Sequence, residues 1–88
     1  MGESVYRIAY LPDAAKAIRK LDAKVRARLL DAIGKLAANP RPPGVKKLQG
    51  VEAYRIRVGD YRVIYSVADG ELLVLVFKAG HRREVYKK

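Results

Sequence analysis

The chain has 88 residues, half of them hydrophobic, and 19 Lys and Arg against 9 Asp and Glu give it a net charge of +10. With no cysteine and one histidine, a disulfide framework, a cysteine-ligated zinc site and an all-histidine metal site are excluded, and the composition suits a reducing cytosol. The length holds one domain, 1–88, around one core, and Glu3 and Arg7 interrupt the opening MGESVYRIAYLPD, so neither a signal peptide nor a membrane span is expected.

Residues 1–44 carry nine basic and four acidic side chains and residues 45–88 carry ten and five, so the excess belongs to the folded body and not to a tail. A pI near 10.2 is the electrostatic footprint of a protein that meets polyphosphate.

Val5, Arg7 and Ala9 alternate with Tyr6, Ile8 and Tyr10, a period-2 segment that predicts a first strand ending at Leu11-Pro12. Pro12 then opens a helix over 12–20, where its missing N–H costs nothing, with Leu11, Ala14, Ile18 and Leu21 recurring three and four apart. Asp22 is placed to cap a second helix over 23–38, with Val25, Leu29, Ile33 and Leu36 on one stripe and Lys24, Arg28, Asp31 and Lys35 on the other. Asn39-Pro40-Arg41-Pro42-Pro43-Gly44 stops it, because proline cannot continue a helix. Strand patterns follow at 53–58, 61–67 and 72–78, joined by the two-residue turn signals Gly59-Asp60 and Asp69-Gly70, the second favouring a type I′ turn. The expected fold class is α+β, βααβββ: an antiparallel sheet of about four strands, a helical hairpin on one face and the other face bare, with room for a short last strand at 83–86.

If Gly59-Asp60 is the whole loop, Val58 opposes Tyr61, Arg57 opposes Arg62 and Ile56 opposes Val63. Tyr54, Ile56, Val58, Tyr61, Val63 and Tyr65 then face the helices, and Arg55, Arg57 and Arg62 share the bare face. Opposed like charges destabilise a sheet by roughly 0.2–1 kcal/mol, an effect that a polyanion reverses. A solvated face would carry arginines too, their stems covering Ile64. The same two-residue logic at Asp69-Gly70 sets Phe77 opposite Arg62, a ring on which a splayed base could stack or a core residue. Gly80-His81-Arg82-Arg83-Glu84-Val85-Tyr86 adds proton-handling and anion-binding groups, and cutting RNA without a metal needs both: a base for the 2′-OH, cations for the phosphate and an acid for the leaving oxygen.

These blocks resemble the RelE toxins of the RelE/ParE superfamily over nearly the whole chain: the Tyr6–Tyr10 strand, the helical pair, Val45-Lys46-Lys47-Leu48-Gln49-Gly50, Tyr54-Arg55-Ile56-Arg57, Gly59-Asp60-Tyr61-Arg62-Val63-Ile64-Tyr65, and Gly80 to Tyr86. The resemblance implies a bacterial or archaeal, cytoplasmic toxin of a type II toxin–antitoxin pair that cleaves mRNA in the ribosomal A site, is held by a cognate antitoxin and uses no cofactor or metal. By position it implies a basic pair at Arg55 and Arg57, a scissile-phosphate contact at Arg62, a second phosphate contact at Arg82 or Arg83, and a base-stacking tyrosine at Tyr86. Lys46, Lys47, Arg83 and Phe77 fall to RNA binding. Where the family often has lysines, the strand pair here is arginine, which stays protonated and so clamps phosphate; His81 or Tyr86 is left to carry the proton. Two alternatives remain: a ParE-like inhibitor of DNA gyrase with the same fold, and a basic RNA- or ribosome-binding module without catalysis.

Overall fold

The computed structural model describes residues 5–81. Its elements run β1 (Arg7–Tyr10), α1 (Pro12–Arg19), α2 (Ala23–Lys35), β2 (Lys46–Lys47), β3 (Tyr54–Val58), β4 (Tyr61–Ala68) and β5 (Leu73–His81). Pro12 sits in the first turn of α1, and the Asp22 carboxylate accepts from the Lys24 N–H at 3.2 Å to cap α2. The second helix ends three residues earlier than its apolar stripe predicts. Leu36 is fully buried, but the chain beyond Lys35 turns toward the prolines, and the N–H groups of Ala38 and Asn39 both bond the Lys35 carbonyl.

The strands form one five-stranded sheet in the order β1-β5-β4-β3-β2. The helices and the proline-rich connector carry the chain from one edge of the sheet to the other, and the later strands fill in back toward β1. Two features depart from the expected sheet. The two-residue β2 adds a fifth strand at an edge, and β1 pairs with β5 in parallel, Ile8 opposite Val74 and Ala9 opposite Leu75, so the sheet is mixed. The expected strand at 83–86 lies outside the described residues.

One core fills the space between sheet and helices. Ala14 and Ile18 from α1 and Leu29, Ile33 and Leu36 from α2 pack on Ile56, Val63, Tyr65, Val74, Val76 and Ala79, with Tyr54, Val58 and Tyr61 at its margin. The register across Gly59-Asp60 is the expected one, Val58 to Tyr61, Arg57 to Arg62, Ile56 to Val63 and Tyr54 to Tyr65, with Gly59 at φ +63° in the first loop position.

The second hairpin differs. Asp69–Glu71 make a turn of 3₁₀ helix and Leu72 takes the left-handed conformation at φ 50°, so Ala68 opposes Leu73 across four residues rather than two. A bulge follows: Tyr65 opposes Val76 and Ile64 opposes Lys78, leaving Phe77 as the extra residue. Phe77 therefore does not stand opposite Arg62; Gly80 does. The Asp69 side chain supplies the reason for the longer turn, since it is tied to other elements. The Arg41 guanidinium donates to both Asp69 oxygens, at 3.1 and 2.9 Å, and the Tyr6 hydroxyl donates to Oδ1 at 2.7 Å. Arg41 Nε also donates to the Tyr54 hydroxyl at 3.0 Å, and the buried Tyr65 hydroxyl donates to the Pro40 carbonyl at 2.6 Å. This knot fixes the connector, and hence β2, against β3 and β4.

Candidate nucleic-acid interface

Residues directly opposed in an antiparallel pair project to the same side, so each rung of the sheet states which groups meet. On the side away from the helices one rung runs Arg57, Arg62, Gly80, and the next runs Lys46, Arg55, Ile64, Lys78. Five cations on two adjacent rungs, with no carboxylate among them, make this the basic face.

Arg62 is its centre. It is 7% exposed, the one buried charged residue among those described. Its guanidinium Nη1 reaches the Tyr61 carbonyl at 3.5 Å, at the limit of a hydrogen bond, and its Nε is buried with no acceptor among the described residues. The residue opposite on β5, Gly80, contributes no side chain. Arg57, across the other ladder, is exposed, and Arg55 is half-buried. A buried guanidinium donor without an acceptor costs a fold about 1–3 kcal/mol, and the paired Arg57 adds repulsion. Both penalties vanish when an anion with several acceptor oxygens lies on the face.

Other predicted residues separate from this centre. Lys46 shares the basic face through its pairing with Arg55, whereas Lys47 pairs with Tyr54 and its ammonium sits 3.4 Å from Glu52. His81 pairs with Tyr61 and meets its ring edge-on at 5.6 Å, so its side chain stands on the helix side of the strand, the opposite side from Arg62. The His81 ring, named above as a proton carrier, therefore stands apart from the arginines. Arg82, Arg83 and Tyr86 lie outside the described residues. No three of His, Asp or Glu gather into a metal-ligand set among the described residues.

Nor is the face wholly bare. The segment between β2 and β3 folds back, the Leu48 N–H bonding the Ala53 carbonyl at 2.9 Å, and Leu48, Ala53, Ile64 and Phe77 form a second, smaller apolar cluster. Lys78, Ala53 and Leu48 join the site residues expected from the sequence. The signal for Lys78 is in the sequence: the inward positions Val74 and Val76 should continue to 78, yet 78 is lysine and 79 is alanine, a phase slip that marks the bulge.

On the helix side, the Asp69 carboxyl is held at about 2, first by the hydrogen bonds from Arg41 and then by that from Tyr6, while burial pushes the Tyr65 hydroxyl up to about 12. Both groups belong to the knot and stand apart from the basic face.

Comparison with known proteins extends over the same elements. The family described as the ParE toxin of the type II toxin–antitoxin system, parDE, matches residues 8–86. Toxin RelE of Mycobacterium tuberculosis is 30% identical over 84 residues, covering 93% of this chain and 87% of that protein. Among solved structures, the archaeal RelE–RelB complex from Pyrococcus horikoshii contains a chain that superposes with a TM-score of 0.79 at 33% identity, over 89% of this chain and 96% of its own. The intact Escherichia coli RelBE toxin–antitoxin complex gives 0.77 at 30% identity, over 86% and 95%.

Proposed function

This chain belongs to the RelE/ParE superfamily of type II toxin–antitoxin toxins, as a RelE-type member, and from that premise we propose that it is an endoribonuclease that cuts mRNA in the ribosomal A site. One observation carries the reading: the buried Arg62 Nε, without an acceptor among the described residues, at the middle of a cationic face. A phosphodiester is the acceptor that completes it.

In the proposed reaction the mRNA 2′-oxygen attacks the adjacent phosphorus as its proton is withdrawn. The bond from phosphorus to the 5′-oxygen breaks, that oxygen takes up a proton, and a cyclic phosphate and a free 5′-hydroxyl result. Charge builds on the non-bridging oxygens, where Arg62 and Arg57 neutralise it and Arg55 and Lys46 hold the flanking backbone. Arginine does not surrender a proton at neutral pH, so these groups clamp rather than shuttle. Arg82 or Arg83 supplies a second contact to the phosphate. Proton transfer is assigned to Tyr86, because His81 stands on the far side of its strand from Arg62. Work is confined to the cytoplasm, where translating ribosomes are, and a cognate antitoxin keeps the toxin silent until it is removed.

The match to the ParE toxin family favours a second reading, a gyrase-binding toxin that cuts nothing. In vitro translation separates the two. Messenger cut at codon positions only when ribosomes are present is the expected result; intact messenger together with lost supercoiling activity of gyrase would sink the nuclease reading.

A further inference from the structure

Beside Arg62 the structure holds a feature that phosphate binding does not use. The bulge at Phe77 brings Lys78 onto the basic face beside that ring, opposite Ile64, and the 48–53 segment folds up on the ring's other side. Between them lies a cleft of about 540 Å³ lined by Leu48, Val51, Ala53, Ile64 and Phe77, with Glu52 and Lys78 at its rim. Ile64 and Ala53 are buried at its floor, Phe77 and Leu48 are half-buried at its walls, and Val51 is 55% exposed at its mouth.

Three properties single out an occupant. The floor is apolar and one wall is an aromatic ring, which suits a flat, partly apolar ligand. Its surroundings are cationic: Ile64 is opposed by Arg55 on one side and Lys78 on the other, so whatever fills the cleft is joined to something anionic. Finally, Ile64 lies two residues along β4 from Arg62, about 7 Å, on the scale of one nucleotide step from the phosphate-binding centre.

Resting on the nuclease reading above, we infer that this cleft is the subsite for an unstacked base of the mRNA strand whose phosphate Arg62 holds, and that it gives cutting its dependence on the base next to the scissile bond. The bulge is what makes the subsite. Without it Lys78 would point to the core and Phe77 alone would follow Leu75 on the basic face; with it, a ring and a cation stand side by side over Ile64. The ring stacks the base, Lys78 and Arg55 hold the phosphates on either side of it, and the Glu52 carboxylate at the rim is placed to accept from an exocyclic amine.

The test compares wild type with Phe77→Leu, which keeps the apolar wall and the fold but removes the stacking ring. Substrates are ribosome-bound messengers in which one A-site nucleotide at a time is normal or abasic. At the position bordering the cut, Phe77→Leu should lower kcat/KM by roughly 5- to 150-fold on the normal messenger. The abasic messenger should be cut poorly and equally by both proteins, because the lost base and the lost ring are partners in one interaction. Wild-type and variant rates that match on normal messenger, or an abasic substrate that still tells them apart, would overturn the subsite while leaving the nuclease intact. If wild type cuts no ribosome-bound messenger, the nuclease reading falls and the subsite falls with it. A variant that cuts normally yet releases its antitoxin overturns the subsite too and assigns the cleft to a protein side chain.

Discussion

Arg62 is where stability and activity should part. Its buried Nε lacks an acceptor among the described residues, so replacing Arg62 by an apolar side chain of similar length should relieve the fold. Arg62→Met is expected to raise the unfolding free energy by about 1 kcal/mol in denaturant titrations, and to lower the cleavage rate by roughly 100- to 1000-fold. Arg62→Lys should recover little, because an ammonium keeps the charge but not the planar fork that bridges two phosphate oxygens. A less stable methionine variant would mean that the guanidinium is already satisfied in the free protein. At this scale the sequence was a good guide on the first hairpin. Gly59-Asp60 determines the loop length, and alternation then puts Arg55, Arg57 and Arg62 on one side with no further information. His81 was less legible, because the side of a strand it occupies depends on a bulge four residues upstream.

Among elements, the second hairpin shows what local patterning leaves out. Asp69-Gly70 carries a type I′ signature, but Asp69 is bonded by Arg41, 28 residues away, and by Tyr6, 63 residues away, and those partners, absent from any local window, open the turn to four residues. The left-handed position falls on Leu72, 38% exposed, where a Cβ is unwelcome. Leu72→Gly should therefore stabilise the protein by about 0.5–1 kcal/mol, read as a higher Tm. The knot also predicts a pH dependence. The Asp69 carboxyl is depressed to about 2 in the folded protein, and the unfolded carboxyl titrates near 3.8, so its contribution is complete above about 4 and is lost as pH falls toward 2. Acid unfolding of Asp69→Asn should lack that part of the wild-type slope; identical acid limbs would show that the Arg41 pair is too well solvated to matter. The helices, the Asp22 cap and strands β3 and β4 were all readable because each is set by its own periodicity. The partner of β1 was not, since a four-residue strand carries no record of which neighbour it will meet.

For the whole molecule, a net charge of +10 spread evenly along the chain, with five cations sharing one sheet face, makes the proposed association with RNA a matter of counterion release. Affinity for ribosome-bound messenger should fall linearly with the logarithm of salt concentration, and Arg57→Ala should reduce the slope by about 1; an unchanged slope would remove Arg57 from the phosphate contacts. The pairing of β1 with β5 bears on how such a molecule comes into being. β5 lies between β1 and β4 and contributes Val74 and Val76 to the centre of the core. A nascent chain that has emerged only as far as β4 has its helices and its arginine hairpin but not the strand that joins β1 to them. Contacts this distant in sequence form late and slowly. The basic face is thus completed only after β5 has been made, and on the proposed nuclease reading a ribosome making this protein meets no working copy until β5 has left it.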